Sequence, residues 1–324
     1  MLDDLKFIHE KDQQDALGIA EKQWQQLEHI FDIPDLSGKY QNVVFTGMGG
    51  SALAALISTS WPGCKVPFQI CREYDIPSYV GPDTLFIASS YSGNTEETIE
   101  AYEHAKTKAG KIVCITTGGK LAELASKNSS PIVKLPEVGQ PRYAALASLS
   151  ALVQIMVSAG VSLVPDADKQ LANQAKELKN SLSLWAPTVP TKDNPPKQLA
   201  QELMGKSVVV YAGPKLFPCA YKWKISINEN AKNVAWCNQL PEFNHNEFLG
   251  WTSHPIDKPY AVVDLRSNLE HERVQKRFEI TQKLLSGQRP SSHIVQAQGA
   301  TLLEQLLWII AFGDFVSLYL ALLN

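Results

Sequence analysis

Short apolar runs alternate with amphipathic segments along the first half of the chain. The apolar runs are rich in β-branched and aromatic residues, so they predict buried strands. These strands lie at residues 42–46, 67–71, 85–87, 111–116 and 132–135. Helices are predicted between them at residues 52–58, 99–109 and 121–127. Such alternation predicts a parallel sheet wrapped by helices, with ligands bound at the carboxyl ends of the strands.

The second half repeats this pattern without a clear sequence repeat between the halves. Apolar runs predict strands at residues 207–212, 234–237, 260–265 and 292–295. Helical spacing predicts helices at residues 197–204, 219–230, 271–285 and 302–323. We therefore predict a second parallel-sheet domain of the α/β class.

Additional helices and a linker complete the predicted organisation. Residues 10–31 and 166–185 each predict one amphipathic helix, and residues 144–159 predict an apolar one. Prolines 187, 190, 195 and 196 predict a stiff linker between domains. The predicted division is an N-terminal domain with a leading helix over residues 1–160, a connecting helix and linker over residues 161–196, and a C-terminal domain over residues 197–324.

Composition and charge narrow the class of protein. The chain has 324 residues and a net charge of −3, and it lacks a dense Lys/Arg run, which argues against a nucleic-acid binder. Five scattered cysteines without C-x-x-C spacing predict buried thiols in a reducing compartment and no metal site. A polar N-terminus argues against a signal peptide, and Asp314 interrupts the apolar C-terminal segment. These features predict a soluble, cytoplasmic protein that does not span a membrane.

The stretch FIASSYSGNTEE at residues 86–97 carries the first candidate chemistry. It predicts a buried strand that turns through a hydroxyl-rich loop into a helix. Ser90, Ser92 and Thr95 would lie beside the free N–H groups at that helix N-terminus, where the partial positive charge suits a phosphate or carboxylate. The alternative is a helix cap that binds nothing. Three hydroxyls within six residues exceed what a cap needs, so an anion site is favoured.

A second loop with the same character lies at residues 47–51, between a predicted strand and a predicted helix. It differs from the dinucleotide fingerprint because it lacks the G-x-G-x-x-G spacing, so we expect the backbone around Gly50 and Ser51 to approach a small anion. Arg142 follows a turn made by Gly139 and Pro141. It is expected near the same sheet edge as an anion or transition-state donor; its alternative is a solvated surface charge.

Several motifs together resemble one family. The sequences GMGGSA at residues 47–52, SYSGNTEET at residues 90–98 and GQPR at residues 139–142 resemble the sugar isomerase (SIS) domain proteins. The sequences NENAK at residues 228–232, PEFNHNE at residues 241–247 and GDFVS at residues 313–317 resemble, more narrowly, the bifunctional phosphoglucose/phosphomannose isomerases. The resemblance implies two SIS domains, each a flavodoxin-like, doubly wound parallel sheet flanked by helices.

The resemblance also implies an activity: interconversion of glucose 6-phosphate and mannose 6-phosphate with fructose 6-phosphate through a cis-enediol, without cofactor or metal. Glu229 would be the proton-transfer base, and His245 would open the ring across a homodimer interface. Arg142 would stabilise the enediolate oxygen. The implied phosphate ligands are Gly50, Ser51, Ser90, Ser92 and Thr95.

Alternatives accompany these assignments. Glu229 could lie on a solvated helix face, His245 could be a surface residue, and Asp314 is expected to be structural. A non-catalytic sugar-phosphate sensor is the main rival function; the isomerase half of an amidotransferase is another. The family also carries a lysine on a tail after the last helix, whereas this sequence ends at Asn324. A truncated chain, a substitute such as Lys232 and weakened activity are the three explanations.

Overall fold

The computed structural model describes residues 1–253 and 259–324. Its strands are β1 (Asn42–Thr46), β2 (Phe68–Cys71), β3 (Thr84–Ser89), β4 (Lys111–Thr116), β5 (Ile132–Lys134), β6 (Ser207–Ala212), β7 (Ala235–Gln239), β8 (Tyr260–Arg266) and β9 (Ser292–Gln296). Its α-helices are α1 (Leu5–Lys11), α2 (Ala16–Lys22), α3 (Gly49–Ser60), α4 (Glu96–Ala105), α5 (Gly119–Lys127), α6 (Ala145–Ser158), α7 (Ala167–Asn173), α8 (Ala175–Ser183), α9 (Pro195–Leu203), α10 (Phe217–Asn230), α11 (Glu247–Thr252), α12 (Glu272–Leu284) and α13 (Leu302–Leu323). Short 3₁₀ helices lie at Gln23–Leu27, Pro141–Ala144, Thr191–Asp193 and Glu242–His245.

The first sheet has the order β2-β1-β3-β4-β5, and all its strand pairs are parallel. Strand β3 is buried along its whole length because helices cover both faces of the sheet. Val44, Phe86 and Cys114 lie in one apolar cluster with Tyr102 of α4 and Leu121 of α5. Helices α3 and α6 pack against each other elsewhere in the unit. This order is the predicted flavodoxin-like one, in which the direction of strand addition reverses between β1 and β3.

The second sheet has the order β7-β6-β8-β9 and is also parallel throughout. Its strand order matches that of the first four strands of the first sheet, and among the described residues it has no counterpart of β5. Val209, Val262 and Phe278 form an apolar cluster with Trp251 of α11. Helix α10 packs on β6 and β7, and α13 packs against α9 and α10. The two parallel sheets confirm the predicted α/β fold class.

The chain divides into two compact units, Gln23–Ala175 and Met1–Lys22 with Lys176–Asn324. The first 22 residues thus belong to the unit of the second sheet, whereas the predicted N-terminal domain included them. Asp3 supplies a reason: its Oδ1 accepts hydrogen bonds from the Thr191 backbone N–H at 2.8 Å and from Lys197 Nζ at 3.2 Å.

The leading segment is also less regular than predicted. A single helix over residues 10–31 was expected, but α1 ends at Lys11 and α2 begins at Ala16. Asp12 makes the break, because its carboxylate accepts hydrogen bonds from the N–H groups of Ala16 and Leu17, both at 2.8 Å. The predicted helix over residues 166–185 is likewise divided into α7 and α8.

Helix α13 spans the predicted residues, Leu302–Leu323. Asp314 places a charge in its apolar sequence without ending the helix, and by length and composition alone its 22 residues could still cross a membrane. However, 78% of its most apolar window is buried inside the protein. Asp314 itself is buried and forms an ion pair with Lys222 of α10, which is the structural bridge expected for it. Burial of this kind is typical of the core helix of a globular protein.

Lys197 connects the N-terminal segment to the proline-rich stretch. Its side chain is fully buried, and Nζ donates to Asp3 and to the carbonyl oxygens of Pro187 and Val189, each of these two at 2.8 Å. Lys197→Met should lower the free energy of unfolding by roughly 1–3 kcal/mol, because two partly buried carbonyl oxygens lose their hydrogen-bond donor. Urea unfolding followed by circular dichroism measures the loss. Lys192→Met, on an exposed side chain, is the control; equal midpoints for the two variants would contradict the prediction.

Candidate active site

The loop after β1 brings backbone close to the turn that carries Arg142. Helix α3 begins at Gly49, and its N-cap residue Met48 makes no side-chain hydrogen bond to the first turn. A Cβ at Gly50 would lie 3.0 Å from the Arg142 backbone nitrogen, so only glycine allows this approach without displacement. The structure therefore places the predicted Gly50 and Arg142 side by side within one unit.

The loop after β3 holds the predicted hydroxyl cluster. Ser90 Oγ and Thr95 Oγ1 are 2.8 Å apart, and Ser92 Oγ accepts a hydrogen bond from the Asn94 N–H at 3.2 Å. Thr95 is the N-cap residue of α4, yet its side chain makes no cap hydrogen bond. The helix-cap alternative is therefore wrong for Thr95. Its hydroxyl is turned toward Ser90, and the first N–H groups of α4 lack a side-chain cap at that position.

The two loops are joined at the sheet edge. Ser51 Oγ accepts a hydrogen bond from the Tyr91 N–H at 3.0 Å, which connects the start of α3 to the hydroxyl loop. Because β1 and β3 are the strands at the reversal of strand order, their carboxyl ends open a crevice there. Two helix N-termini, each with partial positive charge, begin at this crevice. The arrangement can bind a small anion such as a phosphate group.

The segment before α6 closes the same edge. The Tyr91 hydroxyl accepts a hydrogen bond from the Val138 N–H at 2.7 Å, so the turn that leads to Arg142 is held against the hydroxyl loop. Arg142 lies in the 3₁₀ helix Pro141–Ala144 and is half-buried, with its guanidinium carbon 4.7 Å from the centre of the Tyr143 ring. Arg142 is thus neither fully solvated nor inside the core, which suits a residue that meets a ligand.

Glu229 lies in the other unit, near the C-terminal end of α10, and it is half-buried. Its polar neighbours have structural partners: Asn228 Oδ1 accepts from the Ala235 N–H at 2.9 Å, and Asn230 Nδ2 donates to Ser317 Oγ at 2.9 Å. The polar NENAK sequence is therefore not simply a solvated helix face. Two of its side chains fix the end of α10 on either side of Glu229.

His245 ends the 3₁₀ helix Glu242–His245. Around it, Phe243 is buried with its ring 4.6 Å from that of Tyr211, and Asn244 Nδ2 donates to Thr281 Oγ1 at 2.9 Å. Asn246 Nδ2 donates to Glu242 Oε1 at 2.7 Å. The His245 side chain is exposed and makes no hydrogen bond or ion pair with any residue in 1–253 or 259–324. Contacts of its neighbours thus hold the motif in place, and the His245 imidazole is exposed to solvent.

This motif is supported by residues that the sequence motifs do not predict. Glu247 accepts hydrogen bonds from the Tyr211 hydroxyl and from Asn238 Nδ2, the latter at 2.6 Å. Beneath them lies Arg289, which is buried with its guanidinium carbon 5.5 Å from the centre of the Tyr211 ring. Burial lowers the pKa of Arg289. Glu247 was visible in the motif, but Arg289 lies far away in sequence and carries no local signal.

A further missed residue, Glu270, occupies the strand-order reversal of the second sheet. There, between β6 and β8, Glu270 is buried, and its Oε1 accepts a hydrogen bond from the Lys215 N–H at 2.7 Å, just before α10. Burial raises the pKa of Glu270. The crevice that is lined by hydroxyls in the first unit is thus filled by a carboxylate of the chain itself in the second. Among the residues that the structure describes, no three or more His, Cys, Asp or Glu side chains are grouped so that they could hold a metal ion.

Comparisons with known proteins agree with this architecture. Residues 38–164 match the SIS domain family, and residues 192–324 match the bacterial phospho-glucose isomerase C-terminal SIS domain. A glucose-6-phosphate isomerase like protein from Thermus thermophilus has a related structure, with a TM-score of 0.67 at 18% identity over 99% of this chain and 93% of that one. This structural likeness supports the fold.

Sequence relatives are closer. A bifunctional phosphoglucose/phosphomannose isomerase of Caldicellulosiruptor bescii is 38% identical over 87% of this chain and 84% of its own length. A D-glucosamine-6-phosphate 4-epimerase of Sulfolobus acidocaldarius is 30% identical over 79% of this chain and 81% of its own. The first similarity, together with the two matched domains, shows that the chain belongs to the bifunctional phosphoglucose/phosphomannose isomerase family.

Proposed function

We propose that this protein is an aldose–ketose isomerase that interconverts glucose 6-phosphate and mannose 6-phosphate with fructose 6-phosphate through a cis-enediol. The similarity to the Caldicellulosiruptor bescii isomerase, at 38% identity over 84% of that enzyme, carries the proposal. The geometry of the two units supports it, because one offers an anion crevice and the other offers a half-buried carboxylate and an exposed imidazole.

The 6-phosphate is proposed to bind at the crevice between β1 and β3. Ser90, Ser92 and Thr95 would donate hydroxyl hydrogen bonds, and Gly50 would offer its backbone N–H at the start of α3. Ser51 would donate through its hydroxyl, because its backbone N–H already donates to the Met48 carbonyl at 3.0 Å. In favour of this assignment, neither N-cap residue, Met48 or Thr95, makes a side-chain hydrogen bond to its helix. A phosphate would satisfy donors that the chain leaves available there.

Proton transfer is assigned to Glu229. Isomerisation requires a base that removes the proton from C2 of the open-chain aldose and returns it to C1, and one carboxylate can serve both steps on one face of the enediol. Negative charge develops on the sugar oxygen during this transfer. The guanidinium of Arg142 is proposed to stabilise that oxygen.

Ring opening is assigned to His245, which would act in the active site of the partner subunit. Two observations support a shared site: the backbone around His245 is held by Phe243 and Asn244, and its imidazole is exposed without a partner among the residues that the structure describes. We therefore propose a homodimer in which each site combines Glu229 of one chain with the partner's His245.

We also propose that the protein is cytoplasmic. Its five cysteines are free, and Cys71, Cys114 and Cys219 are buried. Burial raises the pKa of the Cys114 thiol to about 12, so this thiol stays protonated and unreactive. Free thiols of this kind are typical of a reducing compartment.

A coupled assay with both hexose 6-phosphates tests the activity. We expect turnover of glucose 6-phosphate and of mannose 6-phosphate, with rates unchanged by EDTA because side chains alone carry the proton transfers. Binding of fructose 6-phosphate without turnover would instead identify a sugar-phosphate sensor. Conversion of D-glucosamine 6-phosphate at C4 would favour the activity named for the Sulfolobus relative. Loss of rate with EDTA and its return with zinc would contradict the metal-free mechanism.

Phosphate anchoring is tested by Ser92→Ala combined with Thr95→Ala. Hydrogen bonds to a charged ligand contribute roughly 1.5–3 kcal/mol each, so KM should rise on the order of 10²-fold or more while kcat changes less. Thr107→Ala combined with Ser126→Ala removes two exposed hydroxyls of the same unit and serves as the control. An unchanged KM for fructose 6-phosphate in the folded Ser92/Thr95 variant would remove this loop from the site.

Subunit mixing tests the shared site. Glu229→Gln keeps the shape of the side chain but cannot accept the proton, so kcat should fall on the order of 10²–10⁴-fold while sugar phosphate still binds. His245→Ala should impair ring opening and so affect cyclic substrates more than open-chain ones.

When the two variants are mixed, each heterodimer has one intact composite site. Recovery should approach about a quarter of wild-type activity, because about half of the dimers are then mixed and each has one working site of two. As the control, each variant alone is taken through the same subunit-exchange procedure. Verified exchange without recovered activity would mean that each chain builds its own site or that one of the two residues is misassigned.

A further inference from the structure

Three polar side chains are buried together between α10 and α13. Lys222 Nζ of α10 forms an ion pair with Asp314 Oδ1 of α13 and donates to Ser226 Oγ at 2.7 Å. Ser226 Oγ in turn donates to Asp314 Oδ1 at 3.1 Å. All three side chains are buried, at 1% exposure for Lys222, 0% for Ser226 and 7% for Asp314. None of them has a role in the proposed chemistry.

Stability alone does not explain this group. The free energy needed to remove two charges from water often exceeds the free energy gained from their attraction. Proteins in which apolar residues of similar volume replace a buried ion pair are commonly just as stable. A buried ion pair does, however, strongly disfavour any shift of α10 along α13, because a shifted helix would leave a buried charge unpaired. Lys222, Ser226 and Asp314 therefore define the axial position of α10 on α13 more sharply than apolar packing would.

The same interface contains a close approach and a second polar contact. A Cβ at Gly313 would lie 2.1 Å from Trp223 Nε1, which donates to the Ile309 carbonyl at 2.9 Å. Toward the C-terminal end of α10, Asn230 Nδ2 donates to Ser317 Oγ at 2.9 Å, and Ser317 donates to the Asp314 carbonyl at 2.8 Å. The polar contacts thus continue from the buried ion pair to the residue next to Glu229.

We infer that Lys222, Ser226, Asp314 and Ser317 are positioning residues that hold the α10 backbone, and through Asn230 the carboxylate of Glu229, at a fixed place. Residues 222, 226 and 230 are four apart, so they lie on one face of α10, and that face meets α13. Glu229 is the neighbour of the last of them. The inference rests on the proposed role of Glu229 as the base.

Two variants test it without leaving a buried charge. Ser317→Ala removes the hydroxyl that accepts the hydrogen bond of Asn230 Nδ2, and the double variant Lys222→Met with Asp314→Leu replaces the ion pair by apolar side chains. Misplacement of a catalytic group by a remote change can cost up to about 10²-fold in rate, so we expect kcat to fall roughly 10–100-fold with KM changed less than about twofold. Ser317→Thr keeps the hydroxyl, so its kcat should stay close to that of the wild type. Circular dichroism and binding of fructose 6-phosphate verify the fold of each variant.

The matched control is Cys219→Ala. Cys219 lies at the other end of the same α10–α13 interface, where its Sγ donates to the Leu306 carbonyl at 3.7 Å, and it is fully buried. This variant should lose some stability and keep its kcat. Wild-type kcat in folded Ser317→Ala and in the folded double variant would overturn the inference, as would an equal loss of kcat in Cys219→Ala.

A double-mutant cycle separates positioning from general damage. If Ser317 acts through Glu229, then Ser317→Ala added to Glu229→Gln should lower kcat no further, whereas an additive loss would overturn the inference. Glu229→Gln measured alone distinguishes failure of the proposed base from failure of the positioning role. A wild-type kcat in Glu229→Gln would contradict both the proposed role of Glu229 and the inference. A large loss of kcat in Glu229→Gln with a wild-type kcat in Ser317→Ala would contradict the inference only.

Discussion

A phosphate ester brings two negative charges to a protein surface, and without a cluster of cationic side chains a folded chain must bind them with hydroxyls and with unsatisfied backbone N–H groups. Such groups occur at helix N-termini. In the first unit the flavodoxin-like strand order places two of these ends, those of α3 and α4, beside each other at the reversal between β1 and β3. The remaining features of this edge follow from that convergence. Gly50 permits the approach of the Arg142 turn, and Ser51 connects the two loops.

The second unit meets a different demand. A proton-transfer base must be held more precisely than a phosphate must be bound, since reaction rates fall steeply with misplacement. Helix α10 is accordingly fixed along its length by Lys222, by the close contact of Trp223 and by Asn230. The motif around His245 is fixed by buried aromatic and polar contacts as well. Under the proposed function, the first unit binds the phosphate and supplies Arg142, and the second supplies Glu229 and His245.

The positions of the strands could be predicted from the sequence because buried parallel strands are uninterrupted apolar runs. The ranges of β1, β4, β6 and α13 agree with the predicted residues. The prediction failed where one side chain overrides a periodic pattern: Asp12 ends the leading helix although the apolar spacing continues past it. Partners that are distant in sequence were also beyond prediction. Asp314 was visible as a charge in an apolar helix, but its partner Lys222 has no local sign of burial, and neither has Glu270.

Glu270 has a consequence for how the two units respond to substrate. Its carboxyl group is covalently part of the chain, so the hydrogen-bond acceptor at the start of α10 is present at every substrate concentration. The N-cap side chains of α3 and α4 accept no hydrogen bond from their helices, and the electrostatic environment there would change each time a phosphate binds or leaves. Under the proposed function, the helix that carries Glu229 has an acceptor at its start before substrate arrives, whereas the starts of α3 and α4 gain theirs only with the phosphate.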